Sequence, residues 1–459
     1  MASRDIELEQ PPAGSPPVPV IDGSTTPTRG SNQGELEEGR QEFSLPPVDG
    51  GKDAWLFLAA CFAIEALVWG FPFAFGVFQD YYSTHEPFSN SPNIAVIGTC
   101  AMGVMYMTSP LIIGLCRIYS RWARWTCLFG LFTMSLSLAM SSFSTNVSHL
   151  IATQGALYAL GGSIAYCPCI LYMDEWFVRR KGLAYGIMWS GTGLAGVLLP
   201  LLLEFLLHTL GFRTTLRLWS GLLFVLTVPL AFYIKPRLPH SATSHSKPFN
   251  LKMFMIPSFW LYQLANVVEA LGFFLPGIYL PTYARSALGA ASYSSATTIL
   301  LVNVAAVFGC VAMGWFIDHF HVTTCIMLST LGATLGVLLI WGLASSLPLL
   351  YFFCVVYGLF AGSYTSAWPG IMKDIVRKGE GIGGGYIDPT MVFGWLAAGR
   401  GIGNVVSGPL SETLIQGLPW KGDTAAYGYG SGYGSLIVFT GVTALVGGAS
   451  FIWKRLGIL

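Results

Sequence analysis

The segment AWLFLAACFAIEALVWGFPFAFGVFQD, residues 54–80, decides the fold class of this chain. Apolar residues fill it almost completely, and Glu65 is the one acidic or basic side chain before its last residue. A helix needs about 20 apolar residues to cross the hydrocarbon core of a bilayer, and this run is longer. The segment therefore predicts a membrane-spanning helix with a carboxylate near its middle.

The same pattern recurs along the rest of the chain. Of 459 residues, 53% are hydrophobic and only 10% are charged, whereas soluble domains carry about 25% charged residues. A water-soluble core of this size is therefore excluded, and we predict an all-α membrane protein. Twelve apolar stretches reach spanning length, at about 54–80, 93–116, 125–144, 149–173, 182–206, 214–234, 255–283, 294–317, 323–344, 347–371, 388–412 and 431–453.

The polar segments between these stretches predict the topology. Residues 1–53 are rich in Pro, Gly, Ser and Glu, which is typical of disorder, and show no cleavable signal peptide. Most lysines and arginines fall in this tail and in alternate loops, which the positive-inside rule places in the cytoplasm. We predict a disordered cytoplasmic tail (1–53), an N-terminal six-helix half (54–234), a cytoplasmic linker (235–253) and a C-terminal six-helix half (254–459), with both chain ends in the cytoplasm.

Internal matches indicate that the two halves are repeats. The triplet Glu-Ala-Leu at 65–67 returns at 269–271, an offset of 204. Three further landmarks match at an offset of 200, namely Gly114, Gly162 and Asp174 with Gly314, Gly362 and Asp374. Each match is weak alone, but together they predict two six-helix pseudo-repeats with a solute site between them near the membrane midplane.

Four motifs give the chain a family resemblance. DGGKDAW at 49–55 and FGVFQDYY at 75–82 flank the first helix, WFVRRKGLAYG at 176–186 precedes the fifth, and a glycine at 314 is followed by Asp318. With these motifs the chain resembles the major facilitator superfamily, and within it the monocarboxylate porter family in its fungal form. The resemblance covers residues 49–455 and implies the major facilitator fold.

The resemblance also implies parts of a transport mechanism. In this fold the first and seventh helices line a central cavity and the eleventh can reach it. The loop motifs, which hold Gly314 and Asp318 and the basic pair Arg179 and Arg180, are expected to take part in gating. The first-half loop motif GLCRIYSRWAR lacks the usual acidic residue, so its gating ion pair is not expected.

Three positions depart from the animal branch of the family. Phe73 stands where that branch has a lysine in helix one, and Ala306 and Cys310 stand where it has an Asp/Arg pair in helix eight. The resemblance therefore carries over transport as such, but not lactate-type proton symport through those residues.

Glu65, Glu269 and Arg400 fall near the middle of the first, seventh and eleventh helices. An ionisable side chain near the bilayer centre costs at least about 2.5 kcal/mol, so each needs a partner or a role. In one interpretation Arg400 anchors a solute carboxylate, because its planar fork pairs with carboxylates at two points, and Glu65 or Glu269 carries a proton. In the other, Arg400 and one glutamate form a structural ion pair.

Two further side chains, Asn303 and Tyr364, lie in helices that could face the cavity. Either could orient a solute through its polar group. The alternative for each is a hydrogen bond between helices or ordinary packing.

These observations lead to one leading function and two alternatives. We predict a secondary active transporter of a small organic solute, monocarboxylate-like and proton-coupled, working by alternating access. The first alternative is an efflux pump that exports a fungal secondary metabolite. The second is a transporter-like nutrient sensor.

Other classes are not supported by the residues. The net charge of +1 gives nothing to attract nucleic acid. Gly379–Gly384 has dinucleotide-like spacing but no strand before it, and the pair Cys167 and Cys169 has no ATP-hydrolysing domain beside it. We therefore expect no cofactor, no metal and no enzyme activity, and place a monomeric functional unit in the lipid bilayer of the plasma membrane.

Overall fold

The computed structural model of the chain describes residues 45–89, 91, 93–238, 251–381, 386–422 and 426–459. Within these ranges the chain is helical, without strands. Most of the predicted tail and the centre of the predicted 235–253 linker lie outside the described residues, so both stay predictions.

Ten described segments are long and apolar enough to cross a membrane. We name them, in chain order, α1 (Lys52–Thr84), α2 (Ile94–Ile118), α3 (Ser120–Ser141), α4 (Val147–Trp176), the segment Lys181–Ala231, α7 (Pro257–Leu288), α8 (Tyr293–His319), α9 (Val322–Trp341), α10 (Leu347–Gly381) and α12 (Gly434–Arg455).

Two further observations bring the described spans to the twelve predicted. The 51-residue segment Lys181–Ala231 bends at Gly211, whose φ of 73° is not helical, and so contains two helices, α5 before the bend and α6 after it. Glycine adopts this backbone conformation without a steric penalty. Helix α11 (Pro389–Ile415) has 27 residues, enough to cross a bilayer, and carries Arg400 near its middle.

Large apolar side chains cover the outside of the bundle. Phe129, Phe205 and Phe308 are each more than 60% exposed and lie on three different helices. Such a surface is unstable in water but is matched by lipid. The structure therefore agrees with a multi-pass membrane protein.

Two seams hold together helices that the sequence assigns to different halves. Helix α5 packs along α8, and α2 packs along α11. Glycines allow this close approach: a Cβ added at Gly193 would lie 2.9 Å from the side chain of Val307, and one at Gly394 would lie 2.9 Å from the Cα of Pro110. Small residues at helix crossings are the usual means of close packing in membranes.

Candidate functional site

Glu269 on α7 and Arg400 on α11 form a buried ion pair. The guanidinium Nη1 donates to Glu269 Oε2 over 2.7 Å, and the two side chains are 5% and 2% exposed. The ring of Phe273, one turn further along α7, lies 4.2 Å from the Arg400 Cζ. Coulombic attraction and a cation–π contact therefore hold the arginine inside the bundle.

Glu65 on α1 has a different environment. Its Oε1 accepts a hydrogen bond of 2.5 Å from Thr192 Oγ1 on α5, whereas its Oε2 is buried without a hydrogen-bond partner. The residue is 4% exposed. Among the described residues, no lysine or arginine forms an ion pair with it. Tyr166 on α4 also interacts with the carboxyl. Glu65 is thus a buried carboxyl beside hydroxyl groups and without a cation.

Glu65 and Arg400 belong to the same region although they do not pair. Tyr106 on α2 interacts electrostatically with Arg400, with Glu65 and with Glu269. Cys310 on α8 likewise interacts with both Glu65 and Arg400. The structure therefore brings together the three ionisable residues that the sequence selected, and pairs only two of them.

An aromatic cluster from both predicted halves adjoins Glu65. We define it as Trp69, Tyr106, Tyr166, Trp189, Trp368 and Phe393. The Trp69 ring lies 4.5 Å from Tyr106 and 6.0 Å from Tyr166, between centroids. Trp189 Nε1 donates to the Tyr166 hydroxyl over 2.9 Å.

The rest of the cluster reaches α10 and α11. The Trp189 ring lies 6.0 Å from Trp368, which lies 5.5 Å from Phe393. The indole N–H groups of Trp69 and Trp368 are buried without partners. The sequence carries a signal for Trp69, because it falls one helical turn after Glu65 and so on the same face.

The two secondary candidates have packing contacts. Asn303 Nδ2 on α8 donates to the carbonyl oxygen of Gly196 on α5 over 3.1 Å, which places it in the α5–α8 seam. Tyr364 is 2% exposed. Together with Glu269 and Thr330 it lines a cavity of about 10 Å³, roughly the space that one water needs.

The loop motif with Gly314 and Asp318 joins α8 to the start of α5. The Asp318 carboxylate accepts hydrogen bonds from the backbone N–H groups of Gly182 over 2.7 Å and Leu183 over 2.9 Å. These N–H groups belong to the first turn of a helix and have no partner within it, and the helix dipole favours a carboxylate there. Gly314 permits the approach, because a Cβ there would collide with the Gly182 carbonyl.

Arg179 and Arg180 contribute their backbone rather than their charge. Their side chains are exposed, while their N–H groups, with that of Val178, donate to the Asp49 carboxylate over 2.9–3.0 Å. Burial raises the pKa of Asp49, but these hydrogen bonds outweigh it and hold the pKa below its usual value. Asp49, in the motif at 49–55, therefore holds the motif at 176–186 before α5 in place through hydrogen bonds.

A second inter-helix contact was not expected from the sequence. Arg117 on α2 pairs with Asp388, the residue before α11, at 2.7 Å from Nε to Oδ2 and 3.2 Å from Nη2 to Oδ1. Asp388 also accepts from the Thr390 N–H and so caps α11. The GLCRIYSRWAR motif lacks an acidic residue. Its Arg117 instead pairs with an acidic residue at the start of α11.

The fold and the site define a membrane transporter rather than an enzyme, with ionisable groups buried where two sets of helices meet. The sequence profile of the Major Facilitator Superfamily matches residues 57–383, and the chain belongs to this family. It is therefore a multi-pass membrane transporter.

Individual relatives are distant but nearly full-length. The chain is 25% identical to "MFS transporter asaE" of Aspergillus flavus over 91% of this chain and 90% of that protein. It is 28% identical to human "Monocarboxylate transporter 11", over 80% and 78%. A crystal structure of the human organic anion transporter MFSD10 (TETRAN) superposes with a TM-score of 0.60 at 13% identity, covering 89% of this chain and 98% of that one.

Proposed function

We propose that the chain is a secondary active transporter that moves a small, monocarboxylate-like organic anion together with a proton, by alternating access. The observation that carries the proposal is the buried ion pair between Arg400 and Glu269. An arginine fork binds carboxylates at two points. A solute carboxylate can therefore replace Glu269 at Arg400 once Glu269 has taken up a proton.

The coupling follows from the cost of an unpaired charge. A buried guanidinium without a counter-ion is strongly destabilising. Protonation of Glu269 removes one counter-ion, and the solute anion supplies another. Proton and anion therefore bind together, and neither alone leaves a balanced site.

Alternating access requires that the two seams open at one end. We infer that Asp318, which holds the start of α5, and the Arg117–Asp388 pair keep the proposed cytoplasmic end closed in this conformation. Release of solute on that side breaks both contacts as the six-helix halves rock about the central site.

A second candidate function is export of a larger amphipathic metabolite. The aromatic cluster favours it, because large aromatic surfaces bind apolar solutes. The family name of human monocarboxylate transporter 11 instead supports the anion. The direction of transport separates the two candidates.

The test uses the purified full chain in liposomes, with radiolabelled 4-methylbenzoate as the probe and a pH gradient. We expect accumulation driven by the gradient. Arg400→Lys keeps the charge but loses the fork, so apparent affinity should fall several-fold; Arg217→Lys, at an arginine that bonds Ser142, is the matched control. Glu269→Gln should abolish accumulation.

The decisive variant combines Arg400→Met with Glu269→Gln. Normal abundance with normal proton-driven accumulation would overturn the proposed mechanism and leave a purely structural pair. Normal abundance with lost transport would support it.

We further propose that one chain is the functional unit, that it resides in the plasma membrane, and that both chain ends face the cytoplasm. The basic loops support this orientation. A fluorescent fusion reports the membrane, and protease access to tags at each end in intact cells reports the side. Cleavage of either tag from outside would contradict the orientation.

A further inference from the structure

A group of cationic side chains lies where four helices begin or end. Helix α10 ends there at Gly381 and α12 at Arg455, while α7 begins at Pro257 and α9 at Val322. The starts of α7 and α9 pack against the ends of both α10 and α12. We define the basic cluster as Arg377, Lys378, Lys454 and Arg455.

A buried carboxylate holds two of these cations in place. Asp374 is 5% exposed, and its Oδ1 lies 2.7 Å from Arg377 Nη2 and its Oδ2 lies 3.0 Å from Lys378 Nζ. Lys378 Nζ also donates to Ser258 Oγ, at the start of α7, over 2.9 Å. The Arg377 side chain nevertheless remains 68% exposed. Its guanidinium is therefore positioned by Asp374 and still has N–H groups that face outward.

His321, the residue before α9, connects the two parts of the cluster. It interacts electrostatically with Arg377 and Lys378 on α10 and with Lys454 on α12. Lys454 and Arg455 are exposed. The cations of two helices therefore lie around one histidine and face the surface.

The charges of this region do not balance. Five cationic and two acidic side chains occur at the ends of α10 and α12, namely Lys373, Asp374, Arg377, Lys378, Glu380, Lys454 and Arg455. At an offset of 200, the positions equivalent to Arg377 and Lys378 are Phe177 and Val178. The surplus of three positive charges is thus not repeated at those positions, and it attracts an anion.

Exposed apolar side chains adjoin the cluster. Met255 and Trp260 lie on either side of Ser258 in the chain, and each is more than half exposed. Trp260 Nε1 donates to the carbonyl oxygen of Phe254 over 2.9 Å, so its ring is held at this level. Tryptophan is enriched where the hydrocarbon of a membrane meets its headgroups. An anion that also carries hydrocarbon chains therefore matches this surface better than a soluble anion does.

We propose that the basic cluster is a binding site for the headgroup of an anionic phospholipid. Arg377 donates to the lipid phosphate, Lys454 and Arg455 add attraction, and the acyl chains lie along Met255 and Trp260. In the proposed orientation these helix ends face the cytoplasmic leaflet, where anionic lipids are concentrated. The site lies outside the ion pair of Arg400 and does not depend on which solute is carried.

Native mass spectrometry of the detergent-purified full chain tests this assignment by counting bound lipids. The probes are dioleoylphosphatidylserine and dioleoylphosphatidylcholine at equal concentration. We expect the serine lipid to bind preferentially. Arg377→Gln combined with Lys454→Gln should lower its binding by about tenfold or more, since each lost charge weakens attraction to an anionic lipid. Binding of the choline lipid should not change, which also reports that the variant is folded.

Two matched variants separate a site from general surface charge. Arg179→Gln combined with Arg180→Gln removes the same charge from exposed side chains and keeps their backbone N–H groups, so binding of the serine lipid should stay within about twofold. Arg377→Lys combined with Lys454→Arg keeps the charge and should retain the preference for the serine lipid.

Three results would overturn the proposal. The first is equal binding of the two lipids by the unchanged protein. The second is an equal loss of serine-lipid binding in the Arg179 and Arg180 variant, which would show attraction by surface charge without a site. The third is displacement of the lipid by an equal concentration of glycerophosphoserine, which has the headgroup but no acyl chains. That result would show that the cluster binds a free anion.

Discussion

Glu65 and Glu269 occupy equivalent places in the two predicted repeats, but they have opposite electrostatic environments. They are 204 residues apart, and each contacts a helix with the same rank in its half, α5 for Glu65 and α11 for Glu269. Glu65 receives a hydroxyl there, from Thr192. Glu269 receives the guanidinium of Arg400.

The origin of the difference can be read from the helix that supplies the partner. At an offset of 204, the position equivalent to Arg400 is Gly196, and its carbonyl accepts from Asn303. The first half therefore has a glycine at a seam where the second half has a cation. Similar helix packing thus coexists with an ion pair at Glu269 and with a carboxyl at Glu65 that has no cation.

The predicted cytoplasmic ends show a similar reversal. Asp318 near the end of α8 caps the start of α5, whereas its equivalent on α2 at an offset of 200 is Ile118. There the acid is Asp388 at the start of α11, and α2 supplies Arg117 instead. In both seams a carboxylate lies at the start of a helix. At the start of α5 it comes from the neighbouring helix α8, and at the start of α11 it comes from Asp388, the residue before α11 itself.

The largest expected effect comes from removing the cation of the Arg400–Glu269 ion pair. Arg400→Met leaves Glu269 buried without its cation, which should lower the free energy of unfolding by about 3–5 kcal/mol. Adding Glu269→Gln should restore most of it. Thermal unfolding in detergent measures both; equal damage in the single and double variants would contradict the pairing.

The next effect concerns the seam between α5 and α8. Asp318→Asn replaces one of two carboxylate oxygens that accept backbone N–H groups, and we expect a loss of about 1.5–3 kcal/mol from this contact. The fraction of molecules in which the α5–α8 seam is open at Asp318 should rise accordingly. Distances between spin labels at Arg179 and Lys373 report it, and an unchanged distance distribution would contradict a latch at Asp318.

A smaller effect is expected at Glu65, which forms no ion pair. Glu65→Gln leaves no cation unpaired, and the amide oxygen can still accept from Thr192, so the free energy of unfolding should change by less than about 1 kcal/mol. Glu269→Gln, the matched change in the other half, leaves Arg400 without its partner and should cost several times more. Equal costs would show that the two carboxyls are equivalent after all.

The smallest effect tests the halves themselves. Chains ending at residue 238 and starting at residue 251, expressed together, should assemble into a transporter with activity within a few-fold of the intact protein. The reason is that the two seams, not the connecting loop, join the halves. Failure of this pair, with success of a cut elsewhere, would place the division at the wrong point.

Much of the fold could be predicted because its signals are local. The run at 54–80 has spanning length in itself, and the sequence placed breaks near residues 117 and 177 without reference to any contact. The bend between α5 and α6 was also predictable, since two apolar stretches flank Gly211. The cost of a charge in lipid selected Glu65, Glu269 and Arg400 for the same reason, because it depends on position in a helix alone.

The partners of these residues could not be predicted in the same way. The identical triplets do not distinguish Glu65 from Glu269, and the packing of α7 against α11 brings Arg400 to Glu269. The contact of Arg117 with Asp388 joins residues 271 positions apart, and Trp189 meets Trp368 across the α5–α10 contact. The sequence by itself determined that this is a twelve-helix membrane protein with three costly charges, because hydrophobic length is a property of each segment. The tertiary structure decided which carboxyl pairs with Arg400 and which has only hydroxyl partners, because pairing depends on how helices distant in sequence are rotated against one another.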